Sequence, residues 1–172
     1  FYKKIDDGGA GTNVAHLLPQ GSLREKVVGD VDRKATADEL KEMEALAAKA
    51  MRDGAWGMST GLIYVPSVYA DTDELIAIAK VVGRHRGLYA SHIRGEGTEL
   101  LTAVGEALRI GKEGHLPAHI SHFKAAGQES WGTLRLAAEM IEQAQQRGEK
   151  VSADQYPYTA SSTSLHPAAS VR

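Results

Sequence analysis

Two histidines stand at the ends of consecutive predicted strands and could bind one metal ion. His92 follows an apolar run and lies in Ser-His-Ile-Arg, and His122 follows the next such run and lies in Ser-His-Phe-Lys. Neighbouring parallel strands lie about 4.8 Å apart, so two imidazoles at matching heights can share a Zn²⁺ ion with bonds of about 2.0–2.1 Å. The pattern indicates a candidate zinc site at His92 and His122, with a purely structural role for both residues as the alternative.

Two further polar residues lie close to these histidines in the predicted strands. Asp154 ends a third strand, and by position alone three roles are open to it: third metal ligand, supporting partner or strand-end cap. His119 lies three residues before His122, so the alternation of side chains along a strand predicts that it points to the opposite face and packs against a helix.

Helices and strands alternate along the chain. Thr36 and Glu39 have the spacing of a capping box, and apolar residues at helical spacing continue from there to about Arg52. Later strands begin about 30 to 33 residues apart, which is the length of a βα unit. The further predicted helices cover about 72–87, 98–112 and 131–147, and the predicted strands are Asn13–Leu18, Ala55–Met58, Leu88–His92, Ala118–His122 and Lys150–Gln155.

Strict alternation predicts an α/β fold with parallel strands and covering helices. Two architectures fit this pattern, a (βα)₈ barrel and an open, doubly wound sheet. A whole barrel needs about 250 residues, so the 172 residues of this chain would form a partial one. Both architectures place chemistry at the carboxyl ends of the strands, where His92 and His122 stand.

Composition excludes several classes of function. Twenty basic and 22 acidic residues give a net charge of −2, which favours neither nucleic acid nor an anionic membrane as a partner. No apolar run is long enough for a membrane span. The absence of cysteine excludes disulfides, a thiolate nucleophile and Cys-ligated zinc within these residues. The sequence does not determine the cellular compartment, although the cytoplasm is favoured. It does not determine the oligomeric state either.

Four sequence blocks resemble the D-aminoacylase (N-acyl-D-amino-acid deacylase) family of the amidohydrolase superfamily. They occur in the family's order and spacing across about 13–165, which is most of the chain. Together they are specific, although each alone is weak. The blocks are Gly54–Leu62, which is followed by Tyr64 and Pro66, then Tyr89–Glu96, His119–Gly127 and Ala153–Ser162.

This resemblance implies a fold and a role for individual residues. It implies about strands three to seven of a metal-bearing (βα)₈ barrel, with His92 and His122 as zinc-binding histidines of strands five and six. It further implies that Asp154 is a supporting residue, since the family's catalytic aspartate follows a later strand. The residues implied to contact the N-acyl amino acid substrate are Lys124, Tyr156 and Ser162, at its carboxylate, and Tyr64, close to the pocket.

The sequence also departs from the family's pattern. The family's N-terminal His-x-His pair, metal-binding cysteine and catalytic aspartate have no counterparts here, and strands one, two and eight are absent. We therefore expect residues 1–172 to be an internal fragment of the catalytic barrel, with strand–helix units over about 12–165. We expect the isolated fragment to be inactive and the intact parent protein to be a zinc-dependent deacylase of N-acyl-D-amino acids.

Two other functions fit the same pattern less well. Cyclic-amide hydrolases of the same superfamily use a carboxylated lysine on strand four, whereas the block from Ala55 to Leu62 contains no lysine. The alternative from another functional class is a non-enzymatic α/β binding module whose histidines are structural. Measuring the zinc content of the protein would distinguish this module from the enzymes.

Overall fold

In the residues that the structure describes, five parallel strands form one sheet in which each strand pairs with the next along the chain. The computed structural model describes residues 2–163, and the spatial order of its strands is the order of the sequence. The strands are β1 (Leu17–Pro19), β2 (Gly57–Gly61), β3 (Leu88–His92), β4 (Ala118–Ile120) and β5 (Val151–Ala153).

The strand order separates the two predicted architectures. In a doubly wound sheet the order reverses at a switch point, as in 3-2-1-4-5, whereas successive strands around a barrel are always neighbours. All four pairings here are parallel and join consecutive strands. The sheet is therefore a five-strand arc of a (βα)₈ barrel, and the predicted α/β fold is confirmed.

In the described part of the chain, six α-helices accompany the strands, with two 3₁₀ helices at Ser67–Tyr69 and Gln128–Thr133. Among residues 2–163, no helix is both long and apolar enough to cross a membrane. The α-helices are α1 (Tyr2–Gly8), α2 (Gln20–Val27), α3 (Ala37–Arg52), α4 (Thr72–Arg84), α5 (Leu100–Gly114) and α6 (Leu134–Gln146).

Helix starts follow the local hydrogen bonds that the sequence offers. At α3 the Glu39 amide donates to Thr36 Oγ1 at 3.3 Å and the Thr36 amide donates to Glu39 Oε2 at 2.7 Å, so the predicted capping box is confirmed. At α4 the Asp71 carboxylate accepts from the Glu74 amide at 2.8 Å. Each cap satisfies backbone donors that the first helical turn leaves free.

Differences from the predicted elements concern the ends of helices and strands and two helices, α1 and α2, that lie outside the four predicted ones. β2 begins at Gly57 rather than at Ala55, β4 ends at Ile120, and β5 is three residues long. α2 was not predicted, because eight residues that include a glycine carry little helical periodicity.

The helices bury one face of the sheet. Met58, Tyr89 and Ile120 are fully buried on that face. α4 and α5 approach each other so closely that a Cβ atom on Gly83 would lie 2.1 Å from the carbonyl oxygen of Gly114, so only glycine fits there. The opposite face carries Ser59, Ala90, His119 and Ser152 in one register row, and these residues are more exposed. This second face is the interior of the barrel arc.

A buried polar network joins α2 to α4 and to the segment before it. Arg24 is fully buried and pairs with Glu74, which is 5% exposed. Gln20 donates to Glu74 at 3.0 Å and accepts from the Ser67 hydroxyl at 2.7 Å. Burial raises the pKa of Glu74, and the Arg24 guanidinium opposes this rise. The network thus holds α2 and the Ser67 segment together.

Replacing Arg24 by Leu should lower the free energy of unfolding by about 3–5 kcal/mol, because Glu74 would then be a buried charge without its partner. Urea denaturation at neutral pH measures this loss, and it should shrink at acid pH, where Glu74 becomes neutral. The matched control is Arg135→Leu, since the exposed pair of Arg135 and Glu139 should contribute less than about 1 kcal/mol. Equal effects of the two substitutions would contradict a special role of the buried pair.

Candidate metal centre

The imidazoles of His92 and His122 meet at the carboxyl end of the sheet. His92 is the last residue of β3. His122 follows the end of β4 in a left-handed conformation with φ of +42°, which turns its side chain toward β3. The ring centroids lie 4.4 Å apart and His92 Nδ1 lies 2.8 Å from His122 Nε2. The structure therefore brings together the two histidines that the sequence singled out.

Glu96 completes a cluster that the sequence did not single out. One of its carboxylate oxygens, Oε1, lies 2.9 Å from His122 Nδ1. Across residues 2–163, His92, Glu96 and His122 form the group of potential metal ligands whose donor atoms all lie within 4.8 Å of one another. The sequence does place an acidic residue, Glu96, four positions after the strand-end histidine His92. Only the folded loop brings this residue to His122.

The donor set fits a zinc ion. Two imidazoles and a carboxylate are ligands of the kind that zinc binds. Two nitrogens bound to one tetrahedral zinc lie about 3.3 Å apart, and His92 Nδ1 and His122 Nε2 lie 2.8 Å apart, so the two rings would move slightly apart to hold the ion. Burial lowers the pKa of His92, with the charge of Glu96 opposing this change. A lowered pKa favours the neutral imidazole that metals bind.

Lys124 lies beside this cluster. Its ammonium group is 2.5 Å from Glu96 Oε1, 2.9 Å from His122 Nδ1 and 2.7 Å from the His122 carbonyl oxygen. It also lies 5.3 Å from the centroid of the Tyr156 ring. Two of the residues expected at the substrate carboxylate, Lys124 and Tyr156, are thus in contact next to the histidines.

The other two expected substrate residues differ in their placement. The Tyr64 ring makes an edge contact with His92 at 5.4 Å between centroids, and its hydroxyl lies 3.0 Å from Thr163 Oγ1. Gly61 makes this possible, because a Cβ atom there would lie 2.7 Å from the Tyr64 ring. Ser162 is exposed, and the structure does not bring it against Lys124 or the histidines.

Two cavities flank the histidines, and His122 lines both. The first measures about 510 Å³ and is lined by Tyr64, Ser59 and His92, among others. The second measures about 430 Å³ and is lined by Lys124 and Tyr156. Its lining ends at Ser161, one residue before Ser162. A substrate lying over the histidines could therefore extend to both sides.

The prediction that His119 packs against a helix is wrong. His119 lies on the interior face of the arc, where Nδ1 is 2.9 Å from the Ser152 hydroxyl and Nε2 is 2.8 Å from Asp154 Oδ2. The alternation of side chains applies only to extended backbone, and the strand ends at Ile120 before the left-handed turn at His122. Counting back from His122 therefore assigns His119 to the wrong face.

Asp154 supports the turn that carries His122. Its Oδ1 accepts a hydrogen bond from the His122 backbone amide at 2.5 Å, and its carbonyl oxygen accepts from the Phe123 amide at 2.7 Å. The hydrogen bond from His119, followed by that from the His122 amide, lowers the pKa of Asp154. Asp154 therefore occupies a supporting position in this structure, beside the histidines and outside their cluster.

Solved structures define the class of this fold. A D-aminoacylase whose structure defines a subset of the amidohydrolases superposes with a TM-score of 0.83 at 40% identity, covering 87% of this chain and 31% of that chain. The zinc- and phosphonate-bound N-acyl-D-glutamate deacylase of Bordetella bronchiseptica superposes with a TM-score of 0.88 at 34% identity, covering 91% and 33%. The residues described here thus have the fold of an amidohydrolase barrel.

Sequence comparison then finds relatives among the deacylases of N-acyl-D-amino acids. A D-aminoacylase of Alcaligenes xylosoxydans xylosoxydans is 42% identical over 156 residues, which are 91% of this chain and 32% of the relative. The N-acyl-D-aspartate deacylase of the same organism is 39% identical over 157 residues, or 91% and 31%. The chain is therefore homologous to these two deacylases and spans about a third of their length. No protein-family model matches it.

The His122 amide should report the ionisation of Asp154. Because the folded-state pKa of Asp154 is lowered, its hydrogen bonds are fully present above the ordinary value of 3.8 and are lost as the pH falls through the lower folded value. The His122 amide resonance in NMR spectra should accordingly shift with a midpoint below 3.8. The Asp154→Asn variant should show no such shift. A midpoint at or above 3.8 would contradict the proposed hydrogen bonds.

Proposed function

We propose that the protein to which this chain belongs is a zinc-dependent hydrolase of the amide bond of N-acyl-D-amino acids. The observation that carries the proposal is the meeting of His92 and His122 at the carboxyl end of a barrel arc that is homologous to D-aminoacylases. The relatives named for D-aspartate and D-glutamate share an N-acyl-D-amino acid as substrate and differ in its side chain. We therefore propose N-acyl-D-amino acids as the substrate class and name no particular amino acid within it.

The two histidines would hold the zinc ion, which supplies an activated water near neutral pH and polarises the amide carbonyl. A histidine binds a metal through its neutral ring, and the lowered pKa of His92 favours that neutral form. The interior of the arc would carry the substrate, because both cavities open beside His122. Tyr64 would form one wall of the site through its contact with His92.

Lys124 and Tyr156 would bind the carboxylate of the substrate. The Lys124 side chain is 19% exposed, and its ammonium group lies 5.3 Å from the centroid of the Tyr156 ring. A largely desolvated cation discriminates against ligands that lack the complementary anion. Ser162 would have to approach this site from its exposed position, so its role as a carboxylate partner is the least supported of the four.

The activity can be tested on the full-length protein. After chelator treatment and zinc addition, it should hydrolyse N-acetyl-D-amino acids in proportion to bound zinc and leave the L-isomers intact. The variant His122→Ala should lose both zinc and activity. A zinc-loaded protein that cleaves no N-acyl-D-amino acid, over a panel of acidic and neutral side chains, would contradict the proposal.

Replacing Lys124 by Met should lower kcat/KM for N-acetyl-D-amino acids about 100-fold, because a charged hydrogen bond to the substrate carboxylate is lost. The same variant should cleave the corresponding carboxamides, which lack that charge, about as well as the wild type. Lys80→Met is the matched control, since Lys80 is exposed on α4. An equal loss on acids and carboxamides would contradict the assignment to the carboxylate.

A further inference from the structure

We infer that Glu96 is the positioning residue of this centre, which fixes His122 in the tautomer that can bind a metal and holds Lys124 beside it. The inference deepens the proposed function and rests on it for the metal at His122 and for the role of Lys124. The four sequence blocks do not indicate this role, because it arises from contacts between two loops that are distant in the sequence.

Glu96 ties together the loops that follow β3 and β4. Its side chain is 15% exposed, and Oε1 contacts both His122 Nδ1 and Lys124 Nζ. Its backbone carbonyl accepts a hydrogen bond from the Ala126 amide at 2.7 Å. Main chain and side chain of one residue thus fix the position of the segment that carries His122 and Lys124.

The identity of the partner of Nδ1 determines the tautomer of His122. A neutral imidazole carries a proton on one ring nitrogen and a lone pair on the other. Glu96 Oε1 lies 2.9 Å from Nδ1, and because a carboxylate can only accept, a hydrogen bond to it requires the tautomer with the proton on Nδ1 and the lone pair on Nε2. An ammonium can only donate, so Lys124 acting alone would favour the opposite tautomer, in which Nε2 is protonated and cannot bind a metal.

Glu96 lies on the side of the ring that a metal shared with His92 would not occupy. His122 Nε2 faces His92 Nδ1, whereas Glu96 Oε1 faces Nδ1 of His122. A carboxylate bonded to the far nitrogen of a metal-binding histidine orients the ring and increases its basicity. The geometry is thus that of a partner acting through His122, and Glu96 is not itself a ligand in this arrangement.

The positive charge of Lys124 is a second reason why a carboxylate is favourable at the position of Glu96. Its ammonium lies 2.9 Å from His122 Nδ1, and a cation this close to a metal-binding histidine would oppose the binding of a second cation. Glu96 compensates for this charge while keeping Lys124 within reach of the cavity that it lines. One carboxylate therefore allows a metal-binding histidine and a substrate-binding lysine to be neighbours.

The test compares Glu96→Ala with Glu96→Gln in the full-length protein stripped of metal, with zinc affinity measured by competition against a chromophoric chelator. Glu96→Ala should weaken zinc binding 10- to 100-fold, the usual effect of removing such a partner. Glu96→Gln should weaken zinc binding less than Glu96→Ala does, because its amide oxygen can still face His122 Nδ1 although the charge that compensates Lys124 is lost. Glu99→Ala is the control, since Glu99 is exposed in the same loop.

Two results would overturn the inference. Wild-type affinity in Glu96→Ala would show that Glu96 does not position His122, and an equal loss in the Ala and Gln variants would contradict a role through the contact with Nδ1. Circular dichroism melts check that each variant folds; if Glu96→Ala does not, Glu96→Asp replaces it, since its shorter side chain withdraws the oxygen from Nδ1. Because zinc affinity is the readout, a zinc-binding protein without deacylase activity would contradict only the proposed function.

Discussion

The backbone turn after β4 is the feature on which the candidate site depends. A left-handed conformation is costly for a residue with a side chain, and three hydrogen bonds to Asp154 hold His122 and its neighbours in this conformation. The His122 amide donates to the Asp154 carboxylate, the Phe123 amide donates to the Asp154 carbonyl, and the Asp154 amide donates to the Ile120 carbonyl. This turn directs His122 toward His92 and places Lys124 next to both.

The remainder of the fold fixes the partners of that turn. Parallel pairing sets His92 at the carboxyl end of β3, opposite Gly61 of β2. The buried network of α2 and α4 reaches the site through the hydrogen bond between Gln20 and Ser67, three residues after Tyr64. The residues around the histidines are therefore fixed both by the pairing of the strands and by the contacts of α2.

Local features of the sequence were sufficient to predict many elements. The capping box at Thr36 acts within three residues, so α3 could be placed from its own sequence, and the apolar run of β3 gave both of its ends correctly. α2 could not be predicted in this way. Its apolar periodicity is weak, and it is stabilised by the contact of Arg24 with Glu74, a residue 50 positions away.

By itself the sequence determined the alternation of helices and strands and the positions of His92 and His122 at strand ends, because apolar periodicity and capping are local. The order of the strands, the face occupied by His119 and the part played by Glu96 were decided only by the tertiary structure. The rule of alternating side chains stops where β4 stops, at Ile120. The contact of Glu96 with Lys124 spans 28 positions and exists only because pairing of β3 with β4 brings their loops together.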